Sequence, residues 1–269
     1  MPIKRKGTWH MISEITLISG IDPKSKIMNR FEEEFKKILN NKLISTKFQP
    51  IVCLTTGDIV GYEALSRGPE TSIFENPLYL FDVAEKLKLL ENLDMLCREK
   101  AIFHANKLSL NTKVTKLFIN IDAACLTYTN HNKGETKSLI EKFGFKIDNI
   151  VLEITERTLI RDSNLFYQTL AYYQMQGFSI AIDDLGSGNT GLKHISEANP
   201  QIVKIDKSLV ENINKSFKKQ AVFKMIVDMC HKVFHSTVVA EGIETVDELI
   251  TVKELGVDWG QGYIFSKPF

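Results

Sequence analysis

From Phe48 onward the chain alternates between short runs rich in β-branched and aromatic residues and longer amphipathic stretches. The short runs are FQPIV (48–52), IVGYEAL (59–65), KLFINI (116–121), NIVLEI (149–154), FSIAID (178–183), IVKID (202–206), TVVAE (237–241) and QGYIF (261–265). Their length and residue types predict strands. Helical patterns lie between most of them. SNLFYQTLAYYQMQG (163–177) offers Ser163 as an N-cap and closes on Gly177. FKKQAVFKMIVDMCHKVF (217–234) carries apolar residues on a broad face with lysines opposite. TVDELITVKELG (245–256) pairs Thr245 with Glu248 as a capping box and ends on Gly256. Strands alternating with helices imply a mostly parallel sheet with helical crossovers. Eight runs after Phe48 fit a closed α/β barrel better than an open sheet. TTGD (55–58) joins the first two runs as a tight, hairpin-like turn, so one strand of that pair should run antiparallel.

Ahead of the barrel pattern, FEEEFKKILNNK (31–42) has helical spacing at Phe31, Phe35, Ile38 and Leu39. Residues 1–30 read as a polar leader or linker, and 31–269 as one domain with its barrel core from about Phe48. A chain of 269 residues with 43% apolar and 25% charged residues can bury a sizeable core. The formal net charge of +1 argues against binding nucleic acid through bulk charge. Cys53, Cys97, Cys125 and Cys230 form no CxxC pair, so reduced thiols are expected. No uninterrupted apolar stretch approaches 18 residues, and Glu14 breaks the run near the start, so neither a membrane span nor a signal peptide is expected. A cytoplasmic protein follows from these readings.

The chemistry lies where the strands run out. Glu63, Asn120, Glu153, the pair Asp183–Asp184, Lys204, Glu241 and Gln261 each fall at or beside the end of a β-rich run. A buried, unpaired carboxylate is costly, so a strand that served only the core would stay apolar. In an α/β barrel the carboxyl ends of the strands converge on one rim, where active sites are built. Several carboxylates gathered there would repel one another unless cations sat among them. Oxygen ligands without His or Cys point to Mg²⁺ or Mn²⁺ rather than zinc. Two such ions suit in-line attack of water on a phosphodiester.

Taken in order, GYEALSRG, LFINI, LEITER, AIDDLGSG, VKID, AEGIET and QGYIFSKP resemble the motifs of the EAL-domain family, named for the tripeptide at Glu63–Leu65. The resemblance runs from about Phe48 to Phe269. It implies a modified TIM (β/α)8 barrel that uses two Mg²⁺ or Mn²⁺ ions to hydrolyse the bacterial messenger cyclic di-GMP to linear pGpG. It further implies that Glu63, Asn120, Glu153 and Asp183 hold one metal, with Asp183 bridging to a second held by Asp184 and Glu241. Lys204 would orient the attacking water, and Glu241 would serve as ligand or as general base. Gln49, Leu65, Arg67 and Gln261 would bind substrate, Gln49 against a guanine and Arg67 on a phosphate. Glu156 would brace the loop after Asp184. A homodimer and a regulatory N-terminal region or partner belong to the same expectation.

That loop departs from the family's usual DFGTGYSSL. Here it reads Asp184-Leu185-Gly186-Ser187-Gly188-Asn189-Thr190-Gly191-Leu192, with Leu185 and Asn189 in place of aromatics. A receptor that binds cyclic di-GMP without cleaving it is the rival reading, and a barrel enzyme for another phosphodiester is a second. Other features read as structural. His231 and His235 have zinc-helix spacing but no HExxH, and sit at a helix's core edge and surface. Phe166, Tyr167, Tyr172 and Tyr173 read as packing. Lys215, Lys218 and Lys219 read as a solvated helix start.

Overall fold

The computed structural model describes residues 24–110, 115–127, 134–155, 163–187 and 192–269. They form two compact units. One comprises the described residues up to Thr46 with Ser66–Ala101; the other comprises Lys47–Leu65 with Ile102–Phe269.

In the first unit, α1 (Lys24–Asn40) contains the expected helical stretch from Phe31. Its Phe31 and Phe35 rings stand 6.4 and 5.8 Å from the ring of Phe74. Glu34 accepts a 2.6 Å hydrogen bond from the Ser72 hydroxyl. Next comes α2 (Pro77–Lys86), where Asn76 caps the first turn and Pro77 takes a position that needs no N–H donor. α3 (Leu90–Lys107) belongs to this unit as far as Ala101 and carries a buried ion pair, Arg98 Nη2 to Asp94 Oδ2 at 2.7 Å, one helical turn apart.

The barrel has eight strands: β1 (Ser45–Cys53), β2 (Ile59–Arg67), β3 (Lys116–Asp122), β4 (Ile150–Thr155), β5 (Ser179–Leu185), β6 (Ile202–Ile205), β7 (Thr237–Ala240) and β8 (Trp259–Gly260). They close in sequence order. β1 is the reversed strand, pairing antiparallel with β8, while the pairs from β2 to β8 run parallel. The expected modified TIM barrel is therefore the fold. The last strand was misplaced by the sequence pattern. β8 ends at Gly260, and the apolar residues of QGYIF belong to a turn in which Phe265 and Ser266 donate to the Gly262 carbonyl. The reason is close backbone packing: a Cβ on Gly262 would stand 2.0 Å from the Ile243 carbonyl oxygen, so the chain leaves the sheet there to lie against Ile243.

Inside the barrel, Ile51, Phe118, Val151, Ala181, Ile202 and Val239 form a buried apolar layer, with Val60 and Trp259 packed against it. Every strand but β2 thus contributes one side chain to the interior, where filled barrels need them; on β2 the inward position is Gly61. The bare backbone of Gly61 leaves room for the Phe118 ring. A Cβ there would stand 2.8 Å from the Phe118 ring and 2.7 Å from the Lys116 carbonyl oxygen.

Of the outer helices, α4 (Glu135–Lys142) and α6 (Leu192–Ala198) are short. α5 (Ser163–Met175) buries Phe166 and Tyr173, as the packing reading expects, but leaves Tyr172 exposed, and Ser163 is its first helical residue rather than a cap. The short α7 (Lys207–Val210) is capped by Asp206. α8 (Phe217–Lys232) is capped by Ser216, and its outward face is less polar than its sequence suggested: Val222 is 50% and Met225 72% exposed. α9 (Val246–Glu254) opens with the expected Thr245–Glu248 capping box. His231 bonds Asp258 at 2.8 Å, and the four cysteines are free thiols. No described helix is long and apolar enough to cross a membrane.

Candidate active site

Side chains on a strand alternate between faces, so the residue two positions beyond the apolar layer points the same way, one step nearer the mouth. Stepping two residues from the layer gives Asn120 from Phe118, Glu153 from Val151, Asp183 from Ala181, Lys204 from Ile202, Glu241 from Val239 and Gln261 from Trp259. From Gly61 it gives Glu63. Along reversed β1 the step runs backwards, from Ile51 to Gln49. The rim is therefore one polar residue per strand.

Register brings these residues side by side. Asn120 pairs directly with Glu153 across β3 and β4. Asn120 Nδ2 donates to Glu63 Oε1 at 3.2 Å and to Glu153 Oε2 at 3.3 Å. Two consecutive acids on β5 would ordinarily face opposite sides. Here the β5–β6 register shifts between Ile182 and Leu185, and Asp184 takes a left-handed backbone at φ 58°. Such a bulge re-aims a side chain, and Asp tolerates that conformation better than most residues. As a result, oxygens of Asp183, Asp184 and Glu241 all lie within 4.8 Å of one another.

Lys204 is fully buried at the centre of the acids. Its ammonium lies 2.6 Å from Glu241 Oε1, 2.8 Å from Glu153 Oε1, 3.3 Å from Glu63 Oε2 and 3.5 Å from Asp183 Oδ1. Burial alone would favour the neutral amine, but the charges of Asp183, Glu153, Glu241 and Glu63 outweigh it and hold Lys204 well above the usual lysine range. For Glu63, burial pushes upward, yet Lys204 and the amides of Gln261 and Asn120 hold the carboxyl below its ordinary value. The other three go the opposite way. Burial raises Glu153, Asp183 and Glu241, reinforced most by Glu63 for Glu153 and by Asp183 for Glu241. One ammonium does not neutralise this ring.

That imbalance is the test of whether divalent cations fit. The donors are carboxylate and amide oxygens, the set preferred by Mg²⁺ and Mn²⁺. Gln261 adds a buried Oε1 with no hydrogen-bond partner among the described residues. The residues present suit such ions, with Asp183, Asp184 and Glu241 grouped closely enough to share one.

Gln49 and Gln261 join the ring, Gln261 Nε2 donating to Glu63 Oε2 at 2.6 Å and to Gln49 Oε1 at 3.1 Å. Leu65 is half-buried on β2. Arg67 ends that strand within the other unit, where its Nη1 donates to the Ser66 carbonyl at 2.8 Å. Glu156 lies outside the described residues, as do Gly188 to Gly191, including Asn189. Leu185 is buried in β5, paired with Ile205. Sequence reading passed over Asp122, two residues beyond Asn120 and buried; its Oδ1 accepts the Ala124 N–H at 2.9 Å and shapes the turn leaving β3. The same period-two step that marks the rim would have found it.

A closed barrel with one reversed strand and an acid-ringed lysine at its mouth defines a class of modified TIM-barrel proteins. The sequence profile of the EAL domain matches residues 32–268, and the chain belongs to that family. It is 28% identical over 246 residues to a probable cyclic di-GMP phosphodiesterase, PdeB of Escherichia coli K12, covering 90% of this chain and 46% of that protein. The chain spans less than half the length of the curated relatives it matches. Among solved structures, a standalone EAL protein of Vibrio cholerae O395 in its c-di-GMP bound form is 34% identical, with a TM-score of 0.73 over 84% of this chain and 92% of that one. BlrP1 of Klebsiella pneumoniae, as a manganese and cyclic di-GMP complex, is 29% identical, with a TM-score of 0.74 over 84% of this chain and 56% of that one.

Proposed function

We propose that this protein is a divalent-metal phosphodiesterase that opens cyclic di-GMP to linear pGpG. The observation that carries the reading is the ring of Glu63, Glu153, Asp183 and Glu241 around Lys204, with Asp184 turned toward Asp183 and Glu241. Glu63, Asn120, Glu153 and Asp183 would hold one Mg²⁺ or Mn²⁺ ion, and Asp183, Asp184 and Glu241 a second. When bound, such a pair supplies Lewis acidity toward the phosphate and toward water.

The chain's own groups do the rest. Water attacks one phosphorus, the bond from that phosphorus to the 3′ oxygen breaks, and the leaving 3′ oxygen takes a proton from solvent to become a hydroxyl; the product keeps a 5′ phosphate. Glu241 has the least covered side chain of the four acids around Lys204, at 17% exposure against 0–10% for the others. We assign it the proton released by the attacking water. Lys204, held cationic, orients that water and offsets the charge that gathers on the phosphate. Gln49, Leu65 and Arg67 are assigned to the substrate, Arg67 for the fork of donors that suits a phosphate. Action in the cytoplasm and as a homodimer, with regulation through a flanking region or partner, belongs to the same proposal.

The test is product identity. Purified protein, cyclic di-GMP and Mn²⁺ should yield linear pGpG on chromatography. Tight binding of the dinucleotide with no product in Mg²⁺ or Mn²⁺ would replace the enzyme with a receptor.

A further inference from the structure

Gln261 spends both amide hydrogens on acceptors, one on Glu63 Oε2 at 2.6 Å and one on Gln49 Oε1 at 3.1 Å. Its own Oε1 is left buried and without a hydrogen-bond partner among the described residues. Glu63, a carboxylate, can only accept, so the nitrogen end of the Gln261 amide faces it. The direction of the second amide hydrogen is set by Gln49. Its Nε2 donates to the Ser266 carbonyl at 3.1 Å, which forces Gln49 Oε1 toward Gln261. Neither a backbone carbonyl nor a carboxylate can exchange roles, so the polarity of the chain Ser266, Gln49, Gln261, Glu63 is fixed from both ends.

The carbonyl that starts this chain is itself well anchored. The Ile264 N–H bonds the Ile243 carbonyl at 3.2 Å. Phe269 and Phe48 exchange two backbone hydrogen bonds, at 3.0 and 3.1 Å. The Phe269 ring also meets Tyr62 edge-on at 6.2 Å. Residues 264–269 therefore form a strap fastened beside Glu241 at one end and beside Gln49 at the other.

We infer that Gln49 is a positioning residue for the metal centre: it orients Gln261 so that an N–H holds Glu63 and an oxygen faces the site. This deepens the metal-centre reading and rests on it. It also gives Gln49 a task that does not require a guanine. Partners one shell removed from a ligand commonly change metal affinity about 10–100-fold when removed, and Gln49 acts one link further out.

The experiment is a double-mutant cycle on Mn²⁺ binding, measured by calorimetry on the full chain without any nucleotide. Gln261→Met should weaken the Mn²⁺ isotherm by about 10-fold or more, on that scale. Gln49→Met should weaken it several-fold, and the double variant should be no worse than Gln261→Met alone, because the two act in series. Gln49→Asn, which draws the amide back by one methylene, should behave like Gln49→Met and decides the matter if the latter does not fold. An unchanged isotherm in the Gln49 variants, or losses that simply add, would overturn the relay while leaving the metal site standing. No Mn²⁺ binding by the unmodified chain would overturn the metal centre itself, and the relay with it.

Discussion

Two rings of side chains sit two residues apart on the same barrel strands, yet they answer to opposite demands. The inner ring, from Ile51 round to Trp259, is apolar, and Gly61 gives up its side chain so that Phe118 fits. The outer ring keeps five carboxylates and one lysine where covering them is costly. An apolar ring there would serve stability better, because buried ion pairs are weak sources of it. The contrast separates what holds the barrel together from what the barrel is for. Substitutions in one ring should register in melting curves, and substitutions in the other chiefly in turnover.

The sharpest break in the inner ring is Phe118→Ala. It empties a fully buried aromatic site beside Gly61, which has no side chain to offer the space. A loss of about 3–5 kcal/mol in denaturant unfolding is expected, on the scale of buried aromatic truncation. In the outer ring, Glu241→Gln should lower turnover at least ~100-fold, as loss of a positioned acid–base group does. Its melting temperature should barely move, and cyclic di-GMP binding in Ca²⁺ should change far less than the rate. Lys204→Ala should cost as much turnover and destabilise as well, since four acids lose their shared cation. A Glu241→Gln variant that turned over normally but melted early would erase the distinction between the rings.

Smaller effects sharpen it. Gly61→Ala should destabilise by about 1–3 kcal/mol through overpacking against Phe118, with turnover per folded molecule nearly kept. Far from either ring, Thr245→Ala should cost about 1 kcal/mol by removing the cap of α9. Glu248, in the same capping box, gives the pH arm. Burial pushes its carboxyl up, but the N–H groups of Asn212, Glu244 and Thr245 outweigh that and hold it below the ordinary glutamate value. Its stabilisation is therefore fully present above the unfolded value and is lost as pH falls through the lowered one. Glu248→Gln should flatten that part of the acid side of the stability profile, measured by urea unfolding at a series of pH values.

Much of the rim was legible from sequence because each strand donates one polar residue at a period of two. A carboxylate ending an apolar run stands out wherever it recurs. The reversed strand was legible from TTGD. What escaped the reading has physical causes. QGYIF has the residue types of a strand, and only the approach of Gly262 to the Ile243 backbone ends the sheet at Gly260. The register shift that turns Asp183 and Asp184 to one side has no residue signature of its own. The Ser266 carbonyl that fixes Gln49 belongs to the backbone, which every residue shares. Val222 and Met225 lie outward on α8, where the alternation of lysines suggested a polar face.

The central claim is that the acid-ringed mouth of the barrel is a divalent-metal centre for cutting cyclic di-GMP. The most direct measurement follows cleavage of the dinucleotide by exhaustively chelated protein, before and after each metal is returned. Cleavage should stop on chelation and return with Mg²⁺ or Mn²⁺. Ca²⁺ should not restore it, because that ion is larger and too loosely coordinated to hold two-ion geometry. Undiminished cleavage after chelation would contradict the account.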